Sequence, residues 1–458
     1  MSSPSRSADT IAAISTPPGR SALAVVRISG PDTSGVARRL CLPETVVREA
    51  RHATVRHPGT NLPVDDVIAT RYAAPASYTG EDMLEISCHG GSLAPQLVLE
   101  AACAAGARPA GKGEFTRRAF LNGKLDLLQA EAVLDLIEAR SPAMHRAALF
   151  QVEKGLSGRI ENLRRELLEL QGLIAYDIDF PEEDDGPVAP ETIDRAAAEL
   201  LGRLHTMLAL APEGELLRDG ALTVVAGRPN VGKSSIFNML VGVERAIVTE
   251  EPGTTRDAIE ALVSVDGYPF RLVDTAGIRE APGRVEEMGI EVARSYLDRA
   301  DLVLVCVEAN QQPGADEEEF VSNLVRRDPA RVIILRSKSD LLRGSTTSRV
   351  SEIALEIDVS ALTGAGLPEL RSVMLDRVYQ GIRADEDLPI VTRARHVACL
   401  DRAAADVAAF AEARARGLPA EIAGTHVHDA TLALEELLGA VTTEDVLDAV
   451  FNSFCVGK

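Results

Sequence analysis

A glycine-rich segment near the middle of the chain constrains the fold more than any other feature. Residues 227–235 have the sequence Gly-Arg-Pro-Asn-Val-Gly-Lys-Ser-Ser, which fits the pattern G-x-x-x-x-G-K-[ST]. An apolar, β-branched run precedes it at 222–226, and residues 235–240 are typical of a helix. A strand, a glycine-rich loop and a helix in this order form a phosphate-binding P-loop. The segment therefore predicts a nucleotide-binding α/β domain.

The residues of this loop have distinct expected tasks. The glycines let backbone N–H groups close around phosphates, Lys233 reaches the β- and γ-phosphates, and the Ser234 hydroxyl is placed to bind Mg²⁺. A chance glycine-rich turn is the alternative, and the downstream motifs argue against it. The predicted nucleotide contacts in this loop are Asn230, Val231, Gly232, Lys233, Ser234 and Ser235.

Four further motifs follow in the order expected of a GTP-binding domain. A threonine hydroxyl in the loop at 249–255 can complete the Mg²⁺ shell, and Asp274 begins a D-x-x-G motif at a strand end. Asp340 can accept a bidentate hydrogen bond from guanine, and residues 359–362 can present a backbone N–H to its O6 atom. We therefore expect GTP. The further predicted contacts are Thr249, Glu250, Glu251, Pro252, Gly253, Thr254, Thr255, Asp274, Thr275, Ala276, Gly277, Lys338, Asp340, Ser360, Ala361 and Leu362.

Two departures from the usual GTPase pattern change what we expect of this site. Ser337 stands where the N-K-x-D motif has asparagine, so we expect guanine specificity from Asp340 but weaker nucleotide binding. Ile278 follows Asp-Thr-Ala-Gly, where Ras-like enzymes carry the glutamine that orients the attacking water. Hydrolysis must therefore use another group or be very slow.

Composition indicates a cytoplasmic protein of about three domains. The chain has 458 residues, of which 46% are apolar and 26% charged. No apolar run approaches the roughly 18–20 residues that span a bilayer, and no signal-peptide pattern follows the N-terminus. The six scattered cysteines indicate reduced thiols. The net charge of −21 argues against a generic nucleic-acid-coating protein, although residues 1–120 carry +2.

Hydrophobic patterning divides the chain around the nucleotide domain. Before residue 120 the pattern predicts strands at 11–14, 23–28 and 83–88 and a helix at 93–105. Apolar residues from Val152 to Ile174 recur every three or four positions, which predicts one long helix after Ser141. Further helices are predicted at about 192–210, along the stripe Leu400, Ala404, Val407 and Ala411, at 428–439 and at 443–453.

These segments predict a multidomain fold of mixed α/β and all-α parts. An N-terminal α/β domain occupies residues 1–120, and a helical bundle domain is formed by 121–219 and 383–458. A Ras-like P-loop α/β G domain, residues 220–382, is inserted into that helical domain.

Motifs along almost the whole chain resemble those of the MnmE (TrmE) family of tRNA modification GTPases. The ends of the chain contribute as much to this resemblance as the P-loop does. The segments that carry it are 9–11, 17–20, 26–30, 78–82, Glu85, 89–91, 113–126, 179–182, 253–257, 395–396 and the C-terminal Phe-Cys-Val-Gly-Lys at 454–458.

The resemblance implies a fold and a function. It implies an N-terminal domain that binds folate and forms a homodimer, followed by the helical and G domains. It also implies a GTPase that works with a flavin-dependent MnmG (GidA)-type partner in a heterotetramer. Together they would add an aminomethyl or carboxymethylaminomethyl group to C5 of the wobble uridine of certain tRNAs. The one-carbon unit would come from a tetrahydrofolate derivative, either 5,10-methylene- or 5-formyl-tetrahydrofolate.

The resemblance also assigns residues in the N-terminal and C-terminal parts. Arg27, Glu85, Lys124 and Lys458 match folate-contacting positions, and Cys455 matches a cysteine tied to the modification reaction. A carboxylate suits a pterin edge, and cationic side chains suit the glutamate tail of folate. Ordinary surface charge remains the alternative for each of the four, and a buried structural thiol for Cys455.

In the G domain the resemblance implies catalysis assisted by K⁺. Asn230, Thr249, Glu251 and Thr254 match the K⁺ ligands, and Ser234 and Thr255 match the Mg²⁺ ligands. The bound K⁺ would supply positive charge where other GTPases use an arginine finger. Glu286 matches the glutamate that helps to position the attacking water, which answers the missing glutamine at Ile278. The expected catalytic residues are thus Glu286, Asn230 and Cys455.

Two other functions share part of these motifs. A ribosome-assembly GTPase of the Era or EngA type would share residues 227–277 but would lack the N-terminal segment and the C-terminal Cys-Val-Gly-Lys. A non-catalytic GTP switch would explain Ser337 and Ile278 as signs of lost turnover.

Overall fold

A computed structural model describes residues 9–43, 46–179, 189–243, 259–274, 286–342, 351, 353–384 and 391–458. The chain forms two compact units. The first comprises Met1–Leu134, Gln151–Arg164 and Leu432–Lys458, and the second Asp135–Phe150 and Arg165–Thr431. No helix within the described ranges combines the length and the apolar character needed to cross a membrane.

The first unit is built on a six-stranded sheet in the order β3-β4-β5-β2-β1-β6. Neighbouring strands are antiparallel except β1 and β6, which are parallel. The register places Arg27 on β2 directly opposite Glu85 on β5. The strands are β1 Ile11–Ile14, β2 Leu23–Ser29, β3 Ala50–Arg56, β4 Pro63–Tyr72, β5 Met83–His89 and β6 Arg108–Pro109.

Alternation along β2 fixes which side of this sheet is buried. Ala24, Val26 and Ile28 are buried in one core, together with Val98 and Ala101 of a helix that packs on the sheet. The helices with all their residues in this unit are α1 Thr33–Arg39, α2 Ala94–Ala104, α3 Glu114–Leu121 and α16 Glu444–Phe451.

The second unit contains a six-stranded sheet in the order β12-β11-β10-β7-β9-β8. All its pairs are parallel except β8 with β9. Every residue of the central strand β7 is buried, as expected of a parallel strand covered by helices on both faces. The strands are β7 Ala221–Ala226, β8 Ile259–Val265, β9 Tyr268–Asp274, β10 Leu302–Glu308, β11 Val332–Ser337 and β12 Leu355–Asp358.

Helices account for most of the remaining described residues. Around the second sheet they are α9 Lys233–Val243, α10 Glu286–Arg299, α11 Ala315–Arg327, α12 Leu367–Val378 and α13 Gln380–Ala384. The others are α4 Leu127–Glu138, α5 Pro142–Val152, α6 Gly155–Asp179, α7 Pro190–Ala209, α8 Ala211–Asp219, α14 Ala394–Ala415 and α15 Ala420–Leu438.

Most predicted elements are confirmed, but the single long helix is wrong. The backbone leaves the helical region at Lys154, whose φ of +70° separates α5 from α6. The Lys154 N–H donates to the Gln151 carbonyl at the end of α5, and the Lys154 carbonyl accepts a hydrogen bond from the Gly158 N–H in the first turn of α6. The predicted apolar stripe is buried along α6, from Leu156 to Ile174, whereas Val152 at the end of α5 is half-buried.

Two smaller predictions about the C-terminal helices also need correction. Ala411 was expected on the buried stripe of α14, but it is exposed, and Phe410 and Ala413 are buried in its place. The helix expected at 428–439 begins earlier, at Ala420. The domain boundaries proposed from the sequence stay a prediction.

Candidate functional site

Strand β7 leads into a tight loop at 227–232 whose backbone suits a phosphate cradle. Gly227 has a φ of +140°, and a Cβ there would lie 2.4 Å from the Cys306 carbonyl oxygen. Gly232 and Asn230 also have positive φ values, +97° and +66°. Backbone geometry therefore favours the two glycines, and asparagine is one of the few other residues that tolerate the left-handed region.

Lys233, the first residue of α9, holds its ammonium inside this loop. Its side chain is only 6% exposed, and Nζ donates a hydrogen bond to the Arg228 carbonyl at 2.7 Å. A buried ammonium needs anionic or strongly polar partners to offset its lost hydration. The β- and γ-phosphates of a nucleotide would supply such partners in the cradle.

Two oxygen ligands suitable for Mg²⁺ meet where β7 and β9 end. The Ser234 hydroxyl donates to Oδ2 of Asp274 at 2.9 Å, and Asp274 is buried. Hydroxyl and carboxylate oxygens are the donors that Mg²⁺ prefers, and nucleotide phosphates usually complete its shell. The site therefore fits the ion expected with a bound nucleoside triphosphate.

The two predicted base-reading segments lie against each other. The Ser360 hydroxyl donates to Oδ1 of Asp340 at 2.6 Å, and Ser339 N–H bonds to the Val359 carbonyl at 3.2 Å. Ser360 is fully buried, whereas Asp340 is exposed. Because Ser360 engages only one oxygen of the carboxylate, the carboxylate is oriented and keeps an accepting edge for guanine.

Ser337 links this base-reading region to the P-loop. Its hydroxyl contacts the carbonyl oxygen of Val231 in the P-loop and that of Val307 at the end of β10, the latter at 3.0 Å. The side chain is 2% exposed. A hydroxyl has one proton, so it donates to one carbonyl at a time. Ser337 therefore still connects the base-reading region to the P-loop, through a hydrogen bond to a backbone carbonyl, where asparagine would use its side-chain amide.

We expect Ser337→Ala to weaken GDP and GTP binding about tenfold. A buried carbonyl would lose its hydrogen-bond donor, and the base-reading loop would lose its connection to the P-loop. Ser339→Ala is the matched control, since only the backbone of Ser339 enters the contacts above. Fluorescent-nucleotide titration of both variants tests this. Equal affinities for Ser337→Ala and the wild type would show that the link carries no binding energy.

Several predicted nucleotide contacts lie outside the described residues. Of Glu286 the structure describes only the backbone, as the first residue of α10. Ala361 and Leu362 follow Ser360 and are exposed. The predicted contacts outside the described ranges are Thr249, Glu250, Glu251, Pro252, Gly253, Thr254, Thr255, Thr275, Ala276 and Gly277.

The first unit holds a second cluster, centred on Arg27 and Glu85. Arg27 donates through Nε and Nη2 to Oε1 of Glu85, at 3.1 and 2.8 Å. Tyr72 donates to the other oxygen, Oε2, at 3.3 Å. The guanidinium lies over the rings of Tyr78 and Phe115, 5.3 and 5.7 Å from their centroids. Sequence reasoning found the two charges but missed the three aromatic residues.

The C-terminal tail docks on the same unit. Phe115 N–H bonds to the Lys458 carbonyl at 3.1 Å, Gly113 N–H bonds to the Cys455 carbonyl at 3.3 Å, and the Ser15 hydroxyl bonds to the Gly457 carbonyl at 2.9 Å. Gly457 has a φ of +98°, and a Cβ there would lie 2.3 Å from the Ile14 carbonyl oxygen. Only glycine therefore allows this close approach.

This docking brings four of the predicted residues together. Burial and the nearby Arg27 lower the pKa of the Lys458 ammonium, while Cys455 and Glu85 act on it in the opposite direction. Cys455 is exposed, so the alternative of a buried structural thiol is wrong. Lys124 has another contact, donating to the Pro75 carbonyl at 3.1 Å. The structure thus brings Arg27, Glu85, Lys458 and Cys455 together, while Lys124 contacts the loop that precedes Tyr78.

The mostly parallel sheet, the P-loop with its buried lysine and the Ser234–Asp274 pair define a P-loop nucleotide-binding protein. Residues 127–455 match the model of the MnmE helical domain, and residues 10–124 match that of the GTP-binding protein TrmE N-terminus. The chain belongs to the MnmE family of tRNA modification GTPases.

Relatives from three bacteria support this assignment over nearly the whole chain. The tRNA modification GTPase MnmE of Geobacter metallireducens is 39% identical, that of Heliobacterium modesticaldum 41% and that of Geobacter sulfurreducens 40%. Each alignment covers 98% of this chain and 99% of the relative. The protein is therefore a GTPase that acts in tRNA modification.

Proposed function

We propose that GTP hydrolysis by this protein drives addition of an aminomethyl or carboxymethylaminomethyl group to C5 of uridine at the wobble position of certain tRNAs. The observation that carries this proposal is the docked C-terminal tail. It brings Cys455 and Lys458 to Arg27 and Glu85, although these residues lie at opposite ends of the chain. A GTPase that acted only as a switch would need no such cluster outside its G domain.

The cluster has the chemistry needed to hold a tetrahydrofolate derivative. Among the described residues, Oε2 of Glu85 receives only a long hydrogen bond, from Tyr72, so it can accept N–H groups from a pterin edge. Arg27, Lys458 and Lys124 offer positive charge to the glutamate tail. Tyr78 and Phe115 offer aromatic faces beside the carboxylate. The derivative we infer is 5,10-methylene- or 5-formyl-tetrahydrofolate, with Cys455 taking part in the modification reaction.

In the G domain, Lys233 would hold the β- and γ-phosphates, while Ser234 and Thr255 bind Mg²⁺. Asn230, Thr249, Glu251 and Thr254 would bind K⁺ when two G domains meet, and Glu286 would position water. Ile278 supports this proposal, because its side chain cannot orient water as the glutamine of Ras-like enzymes does.

The proposed partners follow from family membership. We infer a homodimer formed through the N-terminal domain, a heterotetramer with a flavin-dependent MnmG (GidA)-type protein, and tRNA as the substrate, all in the cytoplasm. The relatives over the full length disfavour a ribosome-assembly GTPase of the Era or EngA type, because the match includes both ends of the chain.

Mass spectrometry of wobble nucleosides tests the proposed reaction. A strain that lacks this protein should lose the modified uridines, and the wild-type gene should restore them. Glu85→Gln and Cys455→Ser should each restore less than about a tenth of the wild-type level. Cys41→Ser is the matched control, because Cys41 is another exposed thiol of the first unit. Unchanged nucleosides in the deletion strain would refute the proposed function.

Hydrolysis in K⁺ and in Na⁺ tests the proposed role of Asn230. Because Asn230 has a φ of +66°, glycine removes its amide without backbone strain. We expect K⁺ to stimulate the wild type at least about tenfold and to stimulate Asn230→Gly far less. Equal rates in the two salts would favour the alternative of a GTP switch.

A further inference from the structure

A three-residue cluster in the second unit lies away from both sites described above. Asp406 belongs to α14, and His426 and Asp429 belong to α15, the next helix along the chain. His426 and Asp429 are three residues apart, which places them on one face of their helix, one turn apart. One possible ligand atom from each residue lies within 4.8 Å of the other two.

The side chains of this cluster have few hydrogen-bond partners among the described residues. Asp406 and His426 are half-buried, and Asp429 is exposed. Across the described ranges, none of the three side chains makes a hydrogen bond. Partial burial and the nearby Asp429 carboxylate raise the pKa of Asp406, while His426 and Arg402 oppose this shift. Two carboxylates facing one imidazole without hydrogen-bond donors would gain from a shared cation.

We propose that Asp406, His426 and Asp429 bind a divalent transition-metal ion through one imidazole nitrogen and two carboxylate oxygens. A neutral imidazole with two carboxylates suits Zn²⁺ and its neighbours in the first transition row. Mg²⁺ and Ca²⁺ prefer all-oxygen sites, so they fit this set less well. Three protein ligands leave a position for water, and two carboxylates neutralise the charge of the ion.

The ion would clamp α14 to α15. The hairpin at 416–419 already joins these helices, and the cluster lies two to three helical turns beyond it. A metal ion at that distance would fix the relative rotation of the two helices, because its ligands come from both. The consequence is metal-dependent stability of this helix pair, separate from the Mg²⁺ that accompanies the nucleotide.

Metal titration of the full-length protein tests the proposal. The protein is first stripped with EDTA, and its nucleotide site is then saturated with GDP and Mg²⁺. Zn²⁺ is titrated by calorimetry, and Co²⁺ by visible absorption, which reports the ligands of the ion. We expect one further ion per chain. His426→Ala and Asp406→Asn should each weaken its binding at least about tenfold, since removing even a supporting group costs that much.

The helix provides its own control in His428, which is exposed and lies two residues from His426. His428→Ala should bind the ion as the wild type does. Asp406→Asn keeps the size of the side chain, so it serves if His426→Ala fails to fold. Unchanged binding in both ligand variants, or cobalt absorption from a thiolate, would overturn the proposal.

Thermal unfolding separates the metal site from a simple ion pair. Zn²⁺ should raise the Tm of the wild type and of His428→Ala, but not that of His426→Ala. If the imidazole merely paired with the carboxylates, Zn²⁺ would leave every Tm unchanged. The difference between wild type and His426→Ala would then grow as the pH falls and the imidazole gains its proton. That result would also overturn the proposal.

Discussion

Replacing Lys233 with alanine should lower kcat/KM for GTP hydrolysis about 10³-fold, or about 4 kcal/mol of transition-state stabilisation. The Lys233 ammonium is buried in the P-loop, where it donates a hydrogen bond to the Arg228 carbonyl at 2.7 Å. Charge on the transferring phosphoryl group grows in the transition state, and a preformed cation stabilises it there. Steady-state phosphate release by the purified variant measures the loss.

The thermal stability of Lys233→Ala shows whether lost activity comes from the missing charge or from unfolding. Alanine removes a charge whose burial costs free energy, so the Tm of Lys233→Ala should not fall by more than a few degrees. Lys154→Ala is the control, because Lys154 is an exposed lysine in the first unit, away from the P-loop. It should hydrolyse GTP at the wild-type rate. A Lys233→Ala protein that kept a tenth of the wild-type kcat/KM would contradict the assigned role.

The strands and the P-loop were predictable because their signals are local. The strand at 11–14, the strand at 83–88 and the loop at 227–235 each carry their periodicity or glycines within a few residues. The same holds for Asp274, which ends strand β9, and for Asp340, which lies five residues after the apolar run at 332–335. These signals need no knowledge of distant contacts, so the strand, the glycine-rich loop and the helix at 222–240 could be predicted from the sequence.

Features that depend on backbone exceptions or distant pairing were not predictable. Lys154 adopts a φ of +70° in a stretch whose apolar spacing continues, so nothing in the periodicity marks the end of α5. The tie from Ser337 to Val231 joins residues 106 positions apart. The contact of Ser15 with Gly457 spans 442 positions. Only the resemblance to a family suggested that both ends of the chain serve one site.

Arg118→Ala should destabilise the first unit by about 3–5 kcal/mol, the cost of breaking a buried ion pair by removing one of its partners. The Arg118 side chain is 4% exposed and contacts three carboxylates: Asp9 at 2.9 Å, Glu81 at 3.1 Å and Glu114 at 3.0 Å. Glu81 and Glu114 are themselves largely buried. Removing the guanidinium takes this ion pair from the largely buried Glu81, whereas Asp9 and Glu114 keep their ion pairs with Arg108.

Arg117 on the same helix provides the matched control. It pairs with Glu444 and Asp448, which are 72% and 52% exposed, so Arg117→Ala should cost no more than about 1 kcal/mol. Because the chain has two units, hydrogen exchange of peptides from β2 and β5 measures the affected unit directly, whereas a single Tm would mix both. Protection in these strands should fall at least about 100-fold in Arg118→Ala and less than about tenfold in Arg117→Ala. Equal protection in the two variants would show that the buried guanidinium does not hold this unit together.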